Sequence, residues 1–436
     1  MSTTAIGPES EQDTPAADAA VPDGGAIGGL VSRERLTAWH ALLGRPLLSY
    51  YLVVGIAALL LALGLIMVLS TSSASALVSG EPPYREFQKQ LLGVALGLPL
   101  MWFAARSSPR LLRAAAYPLL VVAVLGLLLT LIPGVGVTSG GASRWIQLGP
   151  FQLQPSELAK LAFVLWGADL LARKEKLGLL TDWRQLLIPL LPGAALISML
   201  VMLGDDLGTT FVLLTIFLAL LWVIGTPGRL MAAMLGLMGL VMVMMIIVHP
   251  YELQRLTNFM NPQADPTGSS MQAIQGKYAI GSGGWLGVGL GASRQKWGWV
   301  PNATTDYIFA IIGEELGLVG TLCVSALYGG LAYAGLRIAR RVEDTFMRLA
   351  AAAATTWIVI QAVVNIGAVI GVLPVTGVPL PLVSEGLSSL VVTMAALGML
   401  MSFAKREPGA AQALAEQGDS GLRRVLSWLG LAPRRV

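Results

Sequence analysis

The 436-residue chain is 55% hydrophobic and only 12% charged, with a mean hydropathy of +0.70. A water-soluble globule needs far more charge on its surface, so this composition excludes one and points to a chain that lives in lipid. The formal net charge of +4 would suit an acidic partner such as nucleic acid only if the basic residues were gathered for one, and their distribution gives a different explanation.

Spanning a hydrocarbon core of roughly 30 Å takes about 20 predominantly apolar residues. In chain order such segments are predicted at 49–70, 88–105, 114–132, 155–172, 185–203, 208–225, 229–248, 306–336, 349–373 and 385–404. The expected fold is therefore an all-α integral membrane protein of about ten transmembrane helices, with a large extracytoplasmic loop, 249–305, between helices 7 and 8. With a cytoplasmic N-terminus, 21 of the 29 Lys and Arg residues fall on the cytoplasmic side, so topology accounts for the basic excess and no nucleic-acid partner is expected. The even helix count places both termini inside. Residues 1–45 read as a disordered cytoplasmic tail, 46–406 as the transmembrane domain and 407–436 as a cytoplasmic tail, in which Leu422, Val425, Leu426 and Leu429 beside Arg423 and Arg424 suit a short interfacial helix.

Three outer connections stand apart from the short ones: 133–155, 251–305 and 374–384. Connections of such length usually bind something. None shows a strand-like alternation, so re-entrant or surface helical turns are expected in them, lining a polar cavity. The single Cys323 and the two distant histidines, His40 and His249, exclude a disulfide and a thiolate or histidine metal site.

Charged side chains inside membrane helices cost about 2.5–3.5 kcal/mol each on insertion scales, so each one present needs a reason. Glu157 and Lys160, spaced i, i+3, share a helix face and can pair. Arg144, beside Trp145, has the planar fork that holds a diphosphate. Asp205 and Asp206 precede Gly208-Thr209, where Asp206 reads equally as a helix cap. The run Gly281 to Gly291 invites a nucleotide-binding reading, but no βαβ unit surrounds it, and close backbone packing is the better expectation. Asp306 opens helix 8 either as a cap or as a free carboxylate at the bilayer mouth. Glu314 lies about 12 Å deeper along that helix, next to Glu315, and must be protonated, paired or facing a wet cavity.

These motifs together resemble the SEDS family of bacterial membrane proteins (shape, elongation, division and sporulation), its division branch more than its elongation branch. The resemblance covers nearly all of 45–406. It rests on Ser143-Arg144-Trp145-Ile146, Gln154-Pro155-Ser156-Glu157 with Lys160, Asp206-Leu207-Gly208-Thr209, Gln272 and Gln275, Ser293 with Gln295-Lys296, Thr305-Asp306-Tyr307-Ile308-Phe309 and Gly313-Glu314-Glu315-Leu316-Gly317. It continues in Asn365, Gly371, Leu373-Pro374, Thr376-Gly377 and Leu380-Pro381. Tyr307 stands where the family has Phe. Ser384-Glu385-Gly386-Leu387-Ser388-Ser389 departs from the family's aromatic or small residue followed by two glycines.

The resemblance implies a peptidoglycan glycosyltransferase that polymerises lipid II, an undecaprenyl-diphosphate-linked disaccharide-pentapeptide, into glycan strands for septal wall synthesis. Its place would be the bacterial cytoplasmic membrane at the division septum, and its partners a class B penicillin-binding protein and other division proteins. Asp306 is then the catalytic position and the expected general base. Arg144, Lys160, Arg255, Gln275, Lys277 and Lys296 are expected to bind substrate or its diphosphate. Glu157, Asp206, Glu314, Glu315 and Ser388 are expected in support, and a divalent cation such as Mg or Mn is left open. The competing expectations are a lipid II flippase, which would need charges reachable from both faces, and a non-catalytic division scaffold, which would have no need of Glu314 buried below Asp306.

Overall fold

The computed structural model describes residues 46–413, apart from 81, 83, 140, 141, 150, 266, 267, 269 and 411. The expected N-terminal tail, most of the C-terminal tail and the interfacial helix at 422–429 lie outside the described residues. All ten apolar segments are helical. In chain order the helices are α1 (Leu48–Ser79), α2 (Arg85–Arg106), α3 (Pro109–Thr130), α4 (Pro155–Lys176), α5 (Trp183–Leu187), α6 (Leu190–Met202), α7 (Leu207–Val223), α8 (Gly228–Val248), α9 (Pro250–Met260), α10 (Met271–Gly283), α11 (Ile308–Arg341), α12 (Thr345–Ile370) and α13 (Leu387–Ala404).

Among the described residues seven helical segments are long and apolar enough to cross a membrane: α1, α3, the α5–α6 stretch, α8, α11, α12 and α13, while α7 is a shorter apolar helix. The chain is a multi-pass membrane protein. The residue types at the ends explain where several helices stop. The Asp344 carboxylate accepts from Met347 N and starts α12, and Gly371, at φ +80°, ends it with its N–H on Ala368 O. Buried side chains of α4, α7, α12 and α13 form the middle of the bundle, with α13 packed along α2 and α11 along α1, α10 and α12. Helix α8 stands at the edge: it packs on α7 and α9, and Met231 is its buried residue.

One expectation is overturned. The connection 133–155 holds a three-stranded antiparallel sheet in the order β1 (Gly136–Ser139), β2 (Ala142–Leu148) and β3 (Phe151–Leu153), where helical turns were expected. A register shift between Val137 and Thr138 interrupts the alternation, and strands of three to seven residues are too short to establish a period. The sheet leads directly into α4 and carries Arg144 to the end of the bundle where Asp306 lies.

The long loop behaves as expected at its glycine run. Helix α11 is broken at Gly317 (φ +67°, ψ −164°), and the backbone of 284–289 lies in the break: Val288 N donates to Glu314 O (2.9 Å), Gly289 N to Glu315 O (3.1 Å) and Leu318 N to Gly284 O (2.9 Å). A Cβ on Gly287 would sit 2.1 Å from Glu315 O, so only glycine allows this approach.

Candidate active site

The segment carrying Asp306 is fixed by its backbone. Asn302 adopts a left-handed φ of +56°, and its carbonyl accepts from Thr305 N (3.2 Å) and Tyr307 N (3.1 Å). Asn365 Nδ2 donates both to Asp306 O (2.8 Å) and to Val378 O (2.9 Å). Ser384 Oγ donates to Thr305 O (2.6 Å), and Glu385 N to Thr304 O (3.0 Å). The chain before α11 is thus tied to the chain before α13. Helix α11 starts at Ile308 with Tyr307 as its cap residue and no side-chain cap bond, so the capping reading of Asp306 is not realised and its carboxylate is left to face a cavity.

That cavity has a volume of about 320 Å³ and is lined by Arg144, Trp145, Gln154, Tyr251, Arg255, Asn302, Asp306, Gly377, Glu385, Ser388 and Ser389, among others. The point where a Gly377 side chain would begin is 3.5 Å from an Arg255 guanidinium nitrogen and 3.7 Å from Asp306 Oδ2. Carboxylate and guanidinium therefore flank one small space, which glycine keeps open. The Arg255 guanidinium lies 4.5 Å from the Tyr251 ring centre and 3.5 Å from Glu252 Oε1. Asp306 is densely enclosed by protein, and burial pushes its carboxyl above the usual range; Arg255 and Arg144 pull against that shift and Asp206 adds to it. Burial likewise raises Glu252, against Arg255 and Arg144.

Arg144 donates to Asp205 O and has a nitrogen 3.9 Å from Asp206 Oδ1. Asp206 does cap α7, accepting from Thr209 N (3.0 Å) and Thr209 Oγ1 (2.8 Å), and it also accepts from Gln154 Nε2 (3.2 Å). The cap and the site are thus the same residue. Ser388 lines the cavity and accepts from Gln154 N (3.1 Å). A neighbouring cavity of about 230 Å³ shares Tyr251, Arg255 and Asn302 with the first and is lined by Gln272 and Lys277. Gln275 is half-buried on the same helix, α10, and lines neither cavity.

The remaining expected ligands go elsewhere. Lys160 is buried, paired with Glu157 (2.7 Å), bonded to Gln361 (3.2 Å) and placed 5.3 Å from the Trp357 ring centre. Lys296 is buried against Glu315 (3.0 Å), Ser70 (2.9 Å) and Gly291 O (2.7 Å). With their amines consumed inside the protein, neither is placed to meet a diphosphate. Glu314 accepts from the Ser293 hydroxyl, Arg294 N (3.1 Å) and Gln295 N (3.3 Å). Its depth is therefore explained by loop packing, and it no longer separates an enzyme from a scaffold. The sequence reading left Tyr251, Asn302 and Ser389 out of the site; Gly377 was visible only inside a family motif. Among the described residues no three His, Cys, Asp or Glu side chains converge as metal ligands; the carboxylates lining the Asp306 cavity are Asp306 and Glu385.

A polytopic helical membrane protein with a carboxylate and guanidinium facing one polar cavity at a bundle end is the class that fold and site define. Residues 50–408 match the cell cycle protein family of FtsW, RodA and SpoVE, and the chain belongs to that family. It is 41% identical over 396 residues to the probable peptidoglycan glycosyltransferase FtsW of Mycobacterium tuberculosis, covering 90% of this chain and 74% of that one. It is 38% identical to stage V sporulation protein E of Bacillus subtilis, covering 81% and 96%. A solved structure described as "Structural coordination of polymerization and crosslinking by a peptidoglycan synthase complex" superposes with a TM-score of 0.67 at 30% identity, over 81% of this chain and 97% of that one. The Thermus thermophilus rod shape determining protein RodA superposes at 0.59 with 28% identity, covering 82% and 97%.

Proposed function

We propose that this chain is a peptidoglycan glycosyltransferase that polymerises lipid II during septal wall synthesis, with Asp306 as general base. The observation that carries the assignment is the Asp306 carboxylate, free of any cap bond and facing the Arg255 guanidinium across the space beside Gly377. In the reaction the acceptor 4-hydroxyl gives its proton to Asp306 while its oxygen bonds the donor anomeric carbon. The bond from that carbon to the diphosphate breaks, with inversion, and the electron pair leaves on the diphosphate. Arg255 and Arg144 at the cavity wall, with Lys277 in the adjoining cavity, are the cations that would hold that leaving group. Burial raises the Asp306 carboxyl, which makes it a stronger base than an ordinary aspartate once ionised.

The cavity end would face outward and both termini the cytoplasm, with residues 46–406 as the catalytic domain between two tails. A class B penicillin-binding protein is the expected partner; the likeness to a peptidoglycan synthase complex supports it. Purified full-length protein, alone and with its transpeptidase, should polymerise lipid II, and Asp306→Asn should lose at least about a hundredfold in rate with an unchanged melting temperature. Retained polymerisation by Asp306→Asn sinks the base assignment.

A further inference from the structure

The two cavities that meet at Arg255 differ in charge. The one that Asp306 faces has the carboxylates of Asp306 and Glu385 on its wall as well as the cations Arg144 and Arg255. The neighbouring one, of about 230 Å³, is lined by the cations Arg255 and Lys277 and, among the described residues, by no carboxylate. An anion is therefore better placed in the second cavity and an uncharged sugar in the first. Neither is much larger than the roughly 300 Å³ at which whole small-molecule sites begin, so each suits one part of a substrate.

The second cavity also has hydrogen-bonding groups with nothing to bond. Ser270 directly precedes α10, a position at which serine usually caps a helix, yet its side chain makes no cap bond. The residue is 1% exposed, its buried hydroxyl has no partner, and it lines the cavity. Gln272, in the first turn of α10, lines the cavity too, and its buried Nε2 likewise has no partner. Leaving such atoms unbonded is unfavourable, and an oxyanion in the cavity would satisfy both. The start of this 13-residue helix adds the positive end of its dipole on the same side. Lys277 comes from the other end of the helix's second turn: a Cβ on Gly371 would sit 2.6 Å from its amine, so the amine lies at the C-terminal end of α12.

A hydroxyl, an amide N–H, an ammonium and a guanidinium around one acid-free space match the oxygens of a diphosphate. We propose that Ser270, Gln272 and Lys277, with Arg255, form the diphosphate subsite of the glycosyl donor. The donor is then held on the α10 side of Arg255 and the acceptor sugar on the Glu385 side, with the bond to be broken between Arg255 and Asp306. This rests on the transferase reading of the site and adds to it which cavity takes which substrate.

Binding can be read without chemistry, by titrating a short-chain prenyl diphosphate calorimetrically into the full-length protein in detergent. Ser270→Ala and Lys277→Gln should each weaken binding about tenfold, the effect of losing one hydrogen bond to a charged group. Lys277→Arg should recover most of that loss. Ser270→Ala should melt at the wild-type temperature, because the hydroxyl caps nothing. Wild-type affinity in both Ser270→Ala and Lys277→Gln overturns the subsite, and inorganic pyrophosphate binding as tightly as the prenyl diphosphate makes the cavity a free-anion site and overturns its assignment to a lipid-linked substrate. Transfer then separates donor from acceptor. With lipid II capped at its 4-hydroxyl as donor and a diphosphate-free glycan as acceptor, Ser270→Ala and Lys277→Gln should raise KM for the donor about tenfold and leave that for the acceptor near the wild-type value. An unchanged donor KM overturns the donor assignment. If the wild-type protein does not polymerise lipid II at all, the transferase reading fails by itself, and the prenyl diphosphate titration still decides whether this cavity binds a diphosphate.

Discussion

Two places in this molecule gather acidic side chains near one another, and they are built in opposite ways. Around the break in α11, Glu314 is bonded to the Ser293 hydroxyl and to two backbone N–H groups, and Glu315 to Lys296 and Ser70. At the cavity, Asp306 caps nothing, and Glu385 lines the same space. Glu314 and Glu315 are fully buried, whereas Asp306 and Glu385 are only partly so. Carboxylates bonded to the loop's own donors hold it against a broken helix, whereas those that line a cavity retain the capacity to take a proton or meet a ligand.

The contrast yields graded predictions. Lys296→Ala would strand the Glu315 carboxylate in the interior and should cost about 3 kcal/mol of stability, seen as a lower melting temperature in detergent; an unchanged one would mean that the loop is not held by this pair. Arg255→Ala, at the cavity, should lower kcat/KM for lipid II about a hundredfold while melting stays near that of the wild type. Gly377→Ala should slow polymerisation about tenfold, because a methyl group would intrude between Arg255 and Asp306 at a position whose φ is +71°; full activity would show that the space is not used.

The pH dependence should be the mildest effect. As the proposed base, Asp306 would act only when ionised, and burial raises its carboxyl, so kcat/KM should fall as pH drops through a value above that of an ordinary aspartate. A profile that stays level down to the usual carboxylate range would remove Asp306 from the rate.

Hydropathy alone made the helical membrane fold legible, because apolar runs of membrane length have few alternatives; among the described residues seven helical segments are long and apolar enough to cross, with α7 a shorter apolar helix. The sheet escaped notice: its strands are short, a bulge breaks the first pairing, and the only cues were the glycine-containing pairs Gly140-Gly141 and Gly149-Pro150 that separate them in sequence. For the site, residue type and motif found Asp306, Arg144 and Arg255, but they also proposed Lys160 and Lys296. A buried lysine reads the same in sequence whether its amine is free or consumed, and only the fold brings Gln361 to one and Ser70 to the other. Asn302 and Gly377 act through backbone conformation and the absence of a side chain, which no search for charged groups can find.

Melting and lipid II polymerisation measured side by side on purified Asp306→Asn and Glu314→Gln test the division between the two regions most directly. The expected result is a normally folded Asp306→Asn protein without polymerisation and a less stable Glu314→Gln protein that keeps its activity per folded molecule. An active Asp306→Asn protein, or a stable Glu314→Gln protein that has lost polymerisation, would contradict it.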